Sequence, residues 1–318
     1  MTKLEKIIVS SKPISFIRKK SKATYIPGFQ GIPLYDVTKF FFRQIRKVGL
    51  NERAAAISYN LIMALPAALL FLFSIIPYLP ESLDLRRQIF GLFKDLTPNS
   101  ATYNLITTII NDLLQKHTAV FSFGFLLLIF YASNATMGII RTFDKSIIEN
   151  KKYFLHKRLR SIRLTIVLFL LFIGSTLVLL GQQQLAVVLK GLFHMKKKAN
   201  LPWWNGVRWL IIIALVFYGI AFIYKLGPAI KKRWKLISPG SILATTLTLL
   251  TTILFSFWVN NFASYNKVYG SIGTVLIIML LIYFNSLILL IGFELNVSIT
   301  YLQAEVEKRK QEEIAASQ

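Results

Sequence analysis

The sequence predicts an all-α polytopic membrane protein with six transmembrane helices. An amphipathic interfacial helix precedes them, and two short outer-face helices lie between the first and second spans. Three observations predict this class. Of 318 residues, 54% are hydrophobic and only 16% are charged, with a mean hydropathy of +0.55. Soluble domains carry about a quarter charged residues, so this apolar excess is too large to hide in a water-soluble core. The charges are also gathered, leaving six charge-free windows: Ala54–Pro80, Thr118–Ile140, Leu164–Leu189, Trp209–Tyr224, Leu236–Asn266 and Val268–Phe293. Finally, a helix rises about 1.5 Å per residue and needs about 20 apolar residues to cross the bilayer core. Five windows meet that length outright. The shorter window at 209–224 is flanked by Arg208 and Lys225, whose long stems reach the headgroups.

In chain order, residues 1–33 mix Lys and Arg with Ser, Pro and Gly, and are expected to form a mobile basic segment. The membrane domain is placed at 34–304 and a charged cytoplasmic tail at 305–318. Leu34, Val37, Phe41, Ile45 and Val48 fall on one helical stripe among Lys39, Arg43, Arg46 and Lys47. That pattern suits a helix lying in the membrane interface or packed against the bundle. The spans are placed at 54–80, 118–140, 164–187, 204–226, 238–260 and 272–299. Between the first two, Thr97-Pro98 separates two stretches of helical apolar spacing, the outer-face helices. The first apolar run is too long for a cleaved signal sequence.

Charge sets the expected orientation. Of the 38 Lys and Arg, 28 fall in the N-terminal segment, the second and fourth loops and the tail. The other 10 fall in the odd loops, and the fifth loop holds only Lys267. The positive-inside rule puts both termini in the cytoplasm, and an even number of spans agrees by requiring both termini on one side. The net charge of +24 is therefore read as orientation and attraction to anionic lipid, with no nucleic-acid surface. The chain has no cysteine, which excludes disulfides, thiol catalysis and thiolate metal sites.

Polar side chains in hydrocarbon need partners, so they face a bundle interior or a wet cavity. In the first span Tyr59, Asn60 and Pro66 stand among alanines. Asn134 and Arg141 share a stripe with Gly138 in the second, with Asp144 three residues beyond Arg141. The sixth carries Asn285, Glu294 and Asn296, and Glu294 is the one acid inside any span. An ion pair with Arg141 or Lys225 is the preferred reading of Glu294, ahead of a proton-coupling site. The stretch NNFASYNKVYGSIG, residues 260–273, reads as an outer turn between the last two spans. It places Tyr265, Asn266, Tyr269, Gly270 and Gly273 at the membrane surface. All of these except Gly138, Asp144 and Lys225, thirteen residues, are the candidate cavity or gate positions.

The strings RAAAISYNLIMALPAALLF, SPGSILATTL and NFASYNKVYGSIGTVLIIMLLIYFNSLILLIGFELN resemble the YihY/virulence factor BrkB family of bacterial inner-membrane proteins. The resemblance covers roughly residues 35–305. It rests most on the Y-N-x-x-Y-G-S-x-G stretch and the later G-x-E-L-N. The chain departs from the family at Asn60 and at Met63-Ala64, where an aromatic or leucine and then Leu-Ser are common. The resemblance implies six spans and cytoplasmic termini. It also implies links to serum or osmotic resistance, to movement of lipid-like or glycolipid cargo, and an old ribonuclease label. His117, His156 and His194 are scattered and there is no Walker loop, so neither a nuclease metal site nor an ATPase is expected. The expected function is movement of an anionic lipid or lipid-linked amphiphile by a non-enzyme, without metal or cofactor, whose partners are anionic membrane lipids. The alternatives are a structural or envelope-stress membrane protein and an ion- or proton-coupled transporter of small solutes.

Overall fold

The computed structural model describes residues 19–75, 107–108, 111, 118–147, 154–180, 204–230, 233–261 and 264–316. Among these residues every regular element is helical. A short helical stretch over 19–23 is followed by α1 (Leu34–Lys47), α2 (Leu50–Ile75), α3 (Thr118–Asp144), α4 (Phe154–Leu180), α5 (Trp204–Leu226), α6 (Pro239–Asn261) and α7 (Ser264–Ala316).

Among the described residues four helices are long and apolar enough to cross a membrane: α3 over Ser122–Asp144, α5 over Trp209–Leu226, α6 over Pro239–Trp258 and α7 over Val275–Ala316. Large apolar side chains such as Leu126, Leu210, Ile253 and Phe257 are exposed along them, as a lipid surround permits. The expected spans at 54–80 and 164–187 correspond to α2 and α4, of 26 and 27 residues. At about 1.5 Å per residue each has the length for a core of about 30 Å. The two outer-face helices and the third loop lie almost wholly outside the described residues, as does the basic segment before residue 19.

The described residues fall into two compact units. The first draws on Met1–Ala56, Ile140–Lys152 and Val216–Gln318, the second on Ile57–Ile139 and Tyr153–Leu215. In the first unit α1 and α6 both pack on α7. Val37 of α1 is buried with Phe29, Ile32 and Ile299, and Leu34, Leu295 and Leu302 close around them. Two members of the predicted α1 stripe thus face another helix. α1 ends where Gly49, at φ 60, takes the left-handed conformation that glycine adopts without strain. α6 starts with Pro239 in the first turn, where its missing N–H costs nothing. Ser238 and Ser241 cap that turn reciprocally: Ser241 N donates to Ser238 Oγ and Ser238 N to Ser241 Oγ, at 3.2 and 3.0 Å.

In the second unit Phe71, Phe125 and Phe169 form a ring cluster with centroids 5.6 to 6.1 Å apart. A buried hydroxyl knot joins α3 to α4. Thr136 Oγ1 lies 2.8 Å from Ser161 Oγ and 2.9 Å from Thr165 Oγ1. Each hydroxyl finds a partner inside the pair of helices, as a low-dielectric surround demands.

One expectation is corrected. The Tyr265–Gly273 stretch was expected to turn, and its backbone is helical from Ser264. Gly270 and Gly273 permit a turn without requiring one. The same helix runs on unbroken through the expected tail to Ala316, so the domain edge at 304 is not a break in secondary structure.

Candidate functional site

The site begins with the lone acid of the spans. Glu294 sits on α7 with its side chain 0% exposed, and Arg53 in the first turn of α2 is 6% exposed. Arg53 Nη1 donates to Glu294 Oε1 at 3.0 Å. Arg53 Nη2 donates to the Thr142 carbonyl, near the end of α3, at 2.5 Å. Ser146, just past α3, also donates its hydroxyl to Glu294 Oε1, and Gln44 Nε2 of α1 reaches Oε2 at 3.4 Å. Three segments of the first unit, α1, the start of α2 and the end of α3, therefore converge on one carboxylate of α7. Arg53 Nε is buried and has no hydrogen-bond partner among the described residues.

Beside this pair α6 and α7 approach backbone to backbone. A Cβ built on Gly240 would stand 2.1 Å from the Gly292 carbonyl, and one on Gly292 would stand 2.5 Å from the Gly240 carbonyl. Only hydrogen fits at either position. Asn296, one turn beyond Gly292, accepts from Gly240 N at 2.8 Å and donates to Ser238 Oγ at 2.9 Å. It therefore satisfies an amide that the start of α6 would otherwise leave bare. Tyr224 of α5 donates to the Leu289 carbonyl at 2.7 Å. Phe143 and Phe293 stack with centroids 3.7 Å apart.

The remaining candidates distribute unevenly. Asn285 donates to Leu281 O of its own helix at 3.0 Å, and its buried Oδ1 has no partner among the described residues. In the second unit Asn134 Oδ1 accepts from Arg158 at 2.6 Å, and the Asn60 side chain fills the space over Gly138. Tyr59 and Pro66 are exposed, as is Arg141. Tyr265, Asn266, Tyr269, Gly270 and Gly273 stand on the helical backbone of α7. The expected partner of Glu294 is corrected: the ion pair is made with Arg53, rather than Arg141 or Lys225. Arg53, Ser146 and Gln44 were missed because they lie outside the charge-free windows. The available signal was an arginine set directly before three alanines, Ala54–Ala56, at the edge of a span. Among the described residues no three His, Cys, Asp or Glu side chains gather closely enough to hold a metal ion.

These features define a class: an all-helical integral membrane protein with a buried ion pair tied to several helices. The sequence profile of the family described as Virulence factor BrkB matches residues 41–316, and the chain belongs to that family. It is similar to "Putative ribonuclease-like protein YfkH" of Bacillus subtilis, 28% identical over 251 residues, which cover 77% of this chain and 88% of that one. It is also similar to a UPF0761 membrane protein of Tolumonas auensis, 25% identical over 268 residues, covering 82% and 84% of the two chains. The UPF0761 membrane protein NTHI0384 of Haemophilus influenzae is 22% identical over 281 residues, covering 87% of this chain and all of that one. No solved structure matches the chain significantly.

Proposed function

We propose that this chain crosses a bacterial inner membrane six times with both termini in the cytoplasm, and moves an anionic lipid or lipid-linked amphiphile. The observation that carries the reading is the buried Arg53–Glu294 pair. A buried ion pair contributes little net stability, because desolvation offsets its attraction. Ionisable groups within spans more often mark a pathway. Arg53 keeps a buried N–H with no partner among the described residues, a polar group the packing leaves unpaired, as functional sites tolerate. The uneven Lys and Arg distribution supports the orientation and an anionic-lipid partner. The lone intramembrane acid offers little to a cation-coupled transporter. The separation of the three histidines along the chain supports a non-enzyme without metal or cofactor; the word ribonuclease in the name of the Bacillus relative describes that protein.

A second reading, a structural membrane protein, is favoured by Asn134 and Asn296, whose amides are committed to protein contacts. One experiment separates the two. The protein is reconstituted in phosphatidylcholine liposomes carrying a fluorescent phosphatidylglycerol, and leaflet exchange is followed by quenching from outside. Wild type is expected to accelerate exchange over protein-free liposomes. The double variant Arg53→Met/Glu294→Leu, which removes both charges, is expected to fold and lose that acceleration. Absence of acceleration by wild type overturns the transport reading; equal acceleration by the double variant removes the ion pair from it.

A further inference from the structure

On the first unit a second feature stands apart from the ion pair. A groove of about 610 Å³ lies between residues 30–43 and the charged end of α7, residues 302–310. Lys39 and Arg43 line it from α1, one turn apart on the same face, and Lys310 faces them from α7. None of these three cations has a hydrogen bond or ion pair among the described residues. Three carboxylates also line the groove, and two of them are engaged. Glu305 is held by Arg309 at 2.5 Å, and Glu307 accepts from Gln303 at 3.0 Å. Asp36, in the first turn of α1, is the remaining acid and complements that helix end.

The floor of the groove carries backbone strain. Gln30 lines it at φ 55, a left-handed conformation that costs a non-glycine residue free energy. Gly31 follows at φ 79, and a Cβ built there would meet nothing within 4 Å, so this corner opens into free space. The loop is nevertheless held firmly, because Phe29 and Ile32 on either side are buried against Val37 and Ile299. Strain that the surrounding packing enforces, placed in a cleft, is characteristic of a binding surface.

We infer that this groove is a binding site for a phosphate-bearing anion, with Lys39, Arg43 and Lys310 as the charge clamp and the Gln30–Gly31 corner as its floor. The chemistry is that of a phosphate monoester or diester. A lipid headgroup and a free phosphate both present it. The inference goes beyond the transport reading and does not depend on it, since the groove shares no residue with the Arg53–Glu294 cluster.

The test uses the full chain in a non-ionic detergent, titrated with short-chain phosphatidic acid and followed by native mass spectrometry. Lys39→Gln/Arg43→Gln is compared with Arg46→Gln/Lys47→Gln, a control on the same helix whose residues do not line the groove. Wild type and the control are expected to retain one phosphatidic acid. The groove variant is expected to bind roughly tenfold or more weakly, from the loss of two clamping cations. Lys310→Gln, on another helix, is expected to weaken binding as well. Displacement of the lipid by inorganic phosphate assigns the site to free phosphate; retention against a large excess of phosphate assigns it to the headgroup. No binding by wild type, equal loss in the control, or undiminished binding in both groove variants overturns the inference. All the substituted side chains are exposed, so none should disturb folding.

Discussion

At the residue scale the protein is organised by the charges and glycines that its helices cannot avoid. Glu294 and Arg53 illustrate the asymmetry of buried charge: together they roughly break even, and alone each is costly. Arg53→Ala leaves the Glu294 carboxylate buried beside Ser146 without its cation. It is expected to destabilise the protein by about 3–5 kcal/mol, read as loss of thermal stability in detergent. Arg53→Met/Glu294→Leu should recover most of that stability. A single variant as stable as wild type would show that water reaches the pair. Glu294 was legible in the sequence as an isolated acid in an apolar run, and an ion pair was the preferred reading. Its partner was not legible, because Arg53 lies 241 positions away and only packing brings the two together.

At the element scale the contact between α6 and α7 is decided by backbone proximity. Gly240→Ala forces a methyl against the Gly292 carbonyl, where the built Cβ lies 2.1 Å away. Neither atom belongs to a flexible side chain, so the helices must separate. That should cost at least about 1–3 kcal/mol and loosen the Asn296 cap on α6. Gly174→Ala on α4 is the contrast: nothing lies within 4 Å of its Cβ, and the change should be neutral or stabilising by up to about 1 kcal/mol. Thermal melts of the two purified variants check this, and equal melting temperatures would refute close approach as the role of Gly240. The helices themselves were legible, since long apolar windows have little else they can become in a bilayer. The turn expected at Tyr265–Gly273 was not, because glycine composition allows a turn and helix alike, and the backbone there continues α7.

At the scale of the whole molecule the orientation remains the most direct statement to test. The chain lacks cysteine, so single cysteines report position without background. A cysteine at Lys310 is expected to resist a membrane-impermeant maleimide added to intact spheroplasts, and one at Lys267 to react. The reverse pattern would invert the topology. The family itself was visible in the G-x-E-L-N and Y-N-x-x-Y-G-S-x-G strings, and the match over residues 41–316 bears that out.

Composition and charge spacing were sufficient to determine a helical membrane protein, because hydrocarbon leaves an apolar chain few ways to satisfy its backbone, and the motif strings were sufficient to indicate its family. Tertiary structure alone decided that Glu294 answers to Arg53, that Asn296 caps α6, and that α1 and the end of α7 enclose a groove. Those facts depend on which distant segments touch. Hydrophobic spacing states that a face is buried and is silent on what buries it.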